Sequence, residues 1–251
     1  AFELEKTEVA HRIMGDWNPV KTSFEGLVLS KINGDHISRP YPFFLAYPLE
    51  KELSSFGEIS GWQIEWKWDG IRGQVIQRNG EVFIWSRGEE LVTDKFPELV
   101  EMSLQLPSGT VLDGEIIAFS KGKPLPFSLL QTRIGRKNLS KKILQEAPVS
   151  FIAYDILEYD GKDLRRNSQK DRRLQLEKLS EKINNSRFEI SPLVEAKDWN
   201  ELSRLQSQSR TRMAEGFMLK KNESVYEVGR KKGSWWKWKI EPLTIDGVLL
   251  Y

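Results

Sequence analysis

Residues 61–87 read GWQIEWKWDGIRGQVIQRNGEVFIWSR. The first part of this stretch has a period of two: Trp62, Ile64, Trp66 and Trp68 alternate with Gln63, Glu65 and Lys67. As a strand it carries the apolar set on one face and the polar set, Lys67 included, on the other. A lysine is costly to bury and normally sits where its ammonium reaches water, so Lys67 is aimed into whatever space that polar face lines. Asp69-Gly70 then supplies a tight turn. Beyond it RGQVIQR (72–78) and EVFIWSR (81–87) flank Asn79-Gly80, the dipeptide that most strongly signals a two-residue type I′ hairpin.

The same strand character recurs further along the chain. TVLDGEIIAF (110–119) and SFIAYDILEY (150–159) are β-branched and aromatic runs, the second closing on a Tyr-Asp-Gly-Lys turn. Leu176, Leu179 and Ile183 recur at helical spacing, as do Trp199, Leu202 and Leu205, which predicts two amphipathic helices. EGFMLKK (215–221), SWWKWKIEP (234–242) and TIDGVLLY (244–251) return to strand. Strands, then helices, then strands argue for an α+β domain with antiparallel sheets. On the N-terminal side, prolines 40, 42 and 48 in ISRPYPFFLAYPLE (37–50) favour an extended connection. Residues 1–35 read as helical, with Val9, Ile13, Leu27 and Val28 apolar, and are expected to be the tail of a helical domain plus linker. Residues 242–251 are expected to begin a further domain.

Composition narrows the chemistry. The 251 residues carry a formal charge of only +2, so a polyanionic partner must be met by local basic patches. There is no cysteine, which removes disulfides, thiolate zinc sites and a thiol nucleophile, and fits a reducing compartment. His11 and His36 are the two imidazoles, too few and too near the N-terminus for a histidine metal site or a Ser-His-Asp triad. No apolar run approaches the roughly 20 residues that span a bilayer, and AFELEKTEVAHR (1–12) has the character of neither a secretion signal nor a transit peptide. No membrane role and a cytoplasmic location are expected.

Catalysis must therefore run on Lys, Arg, Asp and Glu. GDWNPVKT (15–22) is the nearest approach to a phosphate-cradling Walker loop, but Val20 stands where its second glycine belongs, and no GxGxxG follows a strand. What remains is a lysine with charged company from several strands. To attack an electrophile Lys67 must shed its proton, against an ordinary pKa of about 10.4; desolvation and neighbouring cations help. Lys237 and Lys239 alternate with Trp236 and Trp238, so both face one side, suited to a polyanion, while the indoles pack behind. Arg72 brings a fork suited to ribose or phosphate oxygens. Glu115 and Glu215 are carboxylates on strands, suited to a divalent metal whose remaining ligands are phosphates. Together these describe nucleotidyl transfer through a covalent lysyl-nucleotide.

KWDGIR (67–72) resembles motif I, Lys-x-Asp-Gly-x-Arg, of the covalent nucleotidyltransferases. SRGEE (86–90), LDGEI (112–116), FIAYDIL (151–157), EGFMLK (215–220) and WWKWK (235–239) resemble that family's motifs Ia, III, IIIa, IV and V, in order. The wording is closest to ATP-dependent DNA ligases, and AHRIMGDW (10–17) is similar to the end of the helical DNA-binding domain in a bacterial branch of them. The resemblance implies an ATP-grasp-like covalent nucleotidyltransferase (adenylation) fold over 36–241, antiparallel sheets flanked by helices, with an OB-fold domain starting at 242. It implies that Lys67 takes AMP from ATP, that Glu65 lies on the adenine side, and that Tyr154 stacks on the base. It places Arg72 and Glu115 at the ribose, Arg87 at a 5′ phosphate, Lys237 and Lys239 at the α-phosphate, and Mg2+ (or Mn2+) at Glu115 and Glu215. The implied partner is nicked double-stranded DNA, the implied state a monomer at the bacterial nucleoid, and the implied roles are DNA repair and replication.

Two rival expectations stand beside this one. An RNA ligase or capping-type enzyme would share the chemistry but change the substrate, and a nucleic-acid-binding module would keep the fold without a covalent adduct. The tryptophans of both aromatic strands are read as core packing. RIGRKNLSKK (133–142) and GRKK (229–232) are candidate DNA-phosphate patches.

Overall fold

The structure, a computed structural model, describes residue 20, residues 22–25 and residues 37–241. Most of the helical reading of 1–35, the Walker-like stretch apart from residues 20 and 22, and the strand reading of 244–251 lie outside the described residues.

The opening stretch folds as its periodicity dictates. Strand β3 is Trp62–Trp68, and β4 (Ile71–Arg78) pairs antiparallel with β5 (Glu81–Ser86). Asn79 and Gly80 have φ of 53° and 79°, the two positive values that a type I′ turn requires. β6 (Thr110–Ser120) and β8 (Val149–Tyr159) are the two long apolar runs, each carrying a two-residue partner, β7 (Lys123–Pro124) and β9 (Lys162–Asp163). With β10 (Phe188–Ile190) they complete a seven-stranded sheet of order β10-β8-β6-β4-β5, with β7 and β9 attached at β6 and β8. A second sheet of order β2-β13-β11-β3 is built from β2 (Tyr47–Pro48), β13 (Trp235–Lys239), β11 (Ala214–Lys221) and β3, and β1 (Phe44–Leu45) pairs with β12 (Gly229–Arg230).

The main ladders are antiparallel, as expected, but three pairs are parallel: β10 with β8, β2 with β13, and β1 with β12. A parallel partner needs a long crossover, and between β8 and β10 that crossover is helix α4 (Gln169–Ser180), capped by the Ser168 hydroxyl. Helix α5 (Trp199–Gln206), capped by Asp198, is the second expected helix. Three further helices were not expected: α1 (Pro97–Ser103), α2 (Phe127–Ile134) and α3 (Lys141–Glu146).

Both faces of the larger sheet are covered. Val75, Ile84, Leu112 and Phe151 pack with Leu99 of α1, Leu130 of α2 and Leu176 of α4. On the opposite face Ile76, Trp85, Val111 and Leu157 meet Phe44, Tyr226 and Trp235. A third cluster lies behind the smaller sheet, where Ile64, Trp66, Phe217 and Trp236 pack on Leu202 of α5, so these indoles are core, as read. The proline-rich connection is strapped to the larger sheet through its backbone. Trp85 Nε1 donates to the Ser38 carbonyl, Arg78 Nη1 to those of Ile37 and Arg39, and the Gln74 amide pairs with both N and O of Tyr41.

One basic stretch needs correction. Arg133 is fully buried at the end of α2, its guanidinium paired with both oxygens of Glu98 at 2.6 and 2.5 Å and bonded to the Lys95 and Ala147 carbonyls. Its charge is spent inside the protein and cannot meet DNA. Residues 136–138, 140–142 and 230–232 are exposed.

Candidate active site

The two sheets enclose a cavity of about 800 Å³, within the range of small-molecule sites. On β3, Glu65 and Lys67 share the face turned to this space. The facing strand β11 needs an irregularity to answer them. Trp66 pairs with Phe217 and Trp68 with Ala214, so Lys67 alone stands opposite the two residues Glu215 and Gly216. This β-bulge shifts the alternation by one and brings Glu215 onto the cavity side. Glycine is required there: Gly216 has φ of 129°, and a Cβ would lie 2.0 Å from the Trp238 carbonyl oxygen.

Lys67 Nζ consequently donates to Glu215 Oε2. Lys239 Nζ, from β13, reaches the other oxygen at 3.2 Å. Burial works against ionisation of Glu215, but the hydrogen bonds and charges of Lys67 and Lys239 outweigh it and hold the carboxyl below its usual range. Lys237, two residues back on the same face, sits among cations. Its own burial, then Arg230, Lys239, Lys67 and Arg87, pull its pKa below the ordinary lysine value. A centre where five cations raise one another's cost is ready for a polyanion that neutralises them together.

The opposite wall comes from the larger sheet. β4 and β6 pair so that Arg72 lies across from Glu115 and Gln74 across from Asp113. Arg72 takes the diagonal partner, with Nε and Nη2 on Asp113 Oδ1 and Oδ2 at 3.1 and 2.7 Å, and Tyr226 donates to the same carboxylate at 2.6 Å. Asp113 is thus spent on fixing Arg72, whose Nη1 keeps no partner among the described residues. Glu115 has no side-chain hydrogen bond among them either. Burial pushes its carboxyl up to about 8, against the lowering pull of Lys67 and Arg72. Tyr154 lines the cavity with Lys220 Nζ 4.4 Å and Arg72 Cζ 5.8 Å from its ring centroid. Arg87 is exposed at the rim, its backbone N–H bonded to the Arg72 carbonyl.

All nine residues singled out from the sequence therefore border one cavity: Glu65, Lys67, Arg72, Arg87, Glu115, Tyr154, Glu215, Lys237 and Lys239. Four more complete it, three that sequence reasoning missed and Arg230, which it had read as part of a DNA-phosphate patch. Asp113 and Tyr226 hold Arg72, Lys220 holds Glu65 at 2.6 Å, and Arg230 joins the cation cluster. Asp113 and Lys220 lay inside the LDGEI and EGFMLK stretches and were open to notice; the pairing of Tyr226 with Asp113, 113 residues apart, was not.

Residues 44–239 match the family model of the ATP dependent DNA ligase domain. The chain belongs to that family. Over 98% of its length this ligase domain is 32% identical to a protein of Koribacter versatilis named "Probable DNA ligase", and over 98% it is 31% identical to a DNA ligase of Archaeoglobus fulgidus. It spans 46% and 44% of those two proteins, under half of each. Among solved structures, a mycobacterial DNA ligase D complexed with ATP and MES matches with a TM-score of 0.63 and 30% identity, covering 79% of this chain and 60% of that one. A Chlorella virus DNA ligase-adenylate, at 19% identity and a TM-score of 0.58 over 79% of this chain and 69% of that one, shares the fold.

Proposed function

We propose that this ligase domain carries out covalent adenylylation for a DNA nick-sealing enzyme, with Lys67 as nucleophile. One observation carries the reading: Lys67 Nζ is hydrogen-bonded to the Glu215 carboxylate, which Lys239 also reaches, and belongs with Arg87, Arg230 and Lys239 to the cations that act on Lys237, inside a cavity of nucleotide size. With ATP in the cavity, the Lys67 amine attacks the α-phosphorus. The N–P bond forms, the P–O bond to the β-phosphate breaks, and pyrophosphate leaves. The proton lost by Lys67 has Glu215 as its nearest acceptor. Lys237, Lys239, Arg230 and Arg87 neutralise the charge that builds on the phosphate oxygens, so catalysis is mostly positioning and electrostatics around an in-line displacement. Tyr154 offers its ring to the base, Glu65 forms the wall on the adenine side, and Arg72 Nη1 with Glu115 faces the ribose. AMP then passes to the 5′ phosphate of a nick, and the 3′ hydroxyl displaces it to close the strand.

A divalent cation fits this set. Among the described residues no three acidic or imidazole side chains gather as a ready cage. Magnesium, however, is usually held by one or two carboxylates with phosphates and water supplying the rest. Glu215, and Glu115 once ionised, would hold it, and its charge would neutralise phosphate oxygens.

ATP labelled at the α-phosphate tests the reading. The chain should retain label from α-labelled but not from γ-labelled ATP, release it on adding pyrophosphate, and pass it to the 5′ phosphate of nicked duplex DNA. Transfer to nicked RNA alone would move the substrate to RNA, and binding of ATP without retained label would leave a binding module.

A further inference from the structure

Glu65 is held from outside the cavity by a residue that belongs to none of the motifs. Its carboxylate is almost sealed from solvent, with 2% side-chain exposure, beside Lys220 at 1% and Arg173 at 8%. Lys220 Nζ, from β11, lies 2.6 Å from Glu65 Oε2 and donates to the Tyr154 carbonyl at 3.2 Å. The other oxygen accepts from Gln63 Nε2 at 3.2 Å and from Arg173 Nη1 at 3.3 Å. Arg173 is itself anchored, donating to the Ser191 carbonyl and to Glu177 Oε1, each at 2.7 Å. Burying a carboxylate this deeply is costly unless fixed donors pair with it, and here they arrive from β3, β11 and α4.

Only one of the two cations can be tested cleanly. Glu65 and Lys220 line the cavity and Arg173 does not, so Arg173 reaches a bound nucleotide only through Glu65. Lys220 also sits over the Tyr154 ring, and its removal would disturb two walls at once.

We propose that Arg173 is a positioning residue for base selection: it fixes the Glu65 carboxylate as an acceptor for a purine bearing an exocyclic amino group. The proposal rests on the reading of Glu65 as the adenine-side wall. Adenine presents an amino donor at position 6, whereas hypoxanthine presents a carbonyl, which faces the carboxylate lone pair to lone pair and brings repulsion in place of a hydrogen bond. A Glu65 free to turn away loses that discrimination while the phosphate-binding cations stay in place.

The experiment compares adduct formation from ATP and from inosine triphosphate by the wild-type chain, Arg173→Gln and Arg173→Lys, with thermal unfolding of each. Arg173→Gln should raise KM for ATP and lower the ATP-over-inosine preference in kcat/KM by about tenfold, with kcat for ATP held within about threefold. Arg173→Lys should retain most of the preference. An unchanged preference in a folded Arg173→Gln chain overturns the proposal, as does an equal loss of kcat with both nucleotides. Should Arg173→Gln fail to fold, Arg173→Lys decides: a small shift in the same direction supports the proposal and none overturns it. A wild-type chain that forms no adduct with either nucleotide fails the ligase reading itself; one that forms both adducts equally well fails this proposal alone.

Discussion

Glu115 meets two opposing demands at the level of the single residue. Its carboxyl faces the cavity without a hydrogen-bond partner among the described residues, and burial lifts its pKa from about 4.5 to about 8. In the folded chain without nucleotide it holds its proton across the neutral range, where the unfolded chain has lost it. The stability linked to that proton is full below about pH 4.5 and is lost as pH rises through about 8. Glu115→Gln cannot ionise. Its stability relative to wild type should therefore improve between pH 6 and pH 8.5, by about 1–3 kcal/mol given that one pKa unit corresponds to about 1.4 kcal/mol. Urea unfolding at the two pH values measures this; parallel pH dependence in the two chains would show that Glu115 is not the group responsible. Position, type and face of Glu115 could all be read from LDGEI. Its unpaired state could not, because it follows from Arg72 choosing the diagonal Asp113 over the carboxylate directly opposite.

At the scale of the element, the bulge in β11 decides whether Glu215 meets Lys67. Gly216→Ala puts a Cβ 2.0 Å from the Trp238 carbonyl oxygen, against backbone that cannot yield without separating β11 from β13. Gly122→Ala provides a control: it too has positive φ, at 75°, but nothing lies within 4 Å of its added Cβ. The control should cost about 1 kcal/mol from backbone strain alone. Gly216→Ala should cost at least about 2 kcal/mol more and lower the rate of adduct formation, both read from thermal melts and single-turnover assays on the same preparations. Equal effects at the two glycines would remove the bulge from the mechanism.

Element by element, legibility followed periodicity. β3 and the β4–β5 hairpin, which alternate, and β6 and β8, which are long β-branched and aromatic runs, stand as read within a residue or two at their ends; α4 and α5 stand as helices, but α4 ends at Ser180, short of the Ile183 counted into its spacing. Helices α1 and α3 span 7 and 6 residues, about two turns or fewer, too short for a helical period to stand out, whereas α2, at eight residues, is as long as α5. For α2 the misreading had another cause. A run of basic residues suggests a solvated surface, but Arg133 is answered by Glu98, 35 residues away, and sequence alone gives no sign of that pairing. The parallel edges at β2, β10 and β12 were equally hidden, since strands of two or three residues carry no periodicity.

Across the whole molecule, the site is a space between two sheets, neither of which contains it. The smaller sheet supplies Lys67, Glu215, Lys237 and Lys239; the larger supplies Arg72, Glu115 and Tyr154. Six motifs in order named the residues, but nothing in their spacing said that β13 would lie beside β11 and β11 beside β3, the order that puts Lys67, Glu215, Lys237 and Lys239 on neighbouring strands of one sheet. That order brings Lys67, the proposed nucleophile, into one cavity with Glu215, Lys237 and Lys239 instead of leaving it a solvated edge residue. The most direct test is the intact mass of the purified chain before and after incubation with ATP and magnesium, alongside Lys67→Ala. A gain of one AMP by the wild-type chain, absent from Lys67→Ala, is the expected result. An AMP adduct on Lys67→Ala, or a wild-type chain that binds ATP and gains no mass, would contradict it.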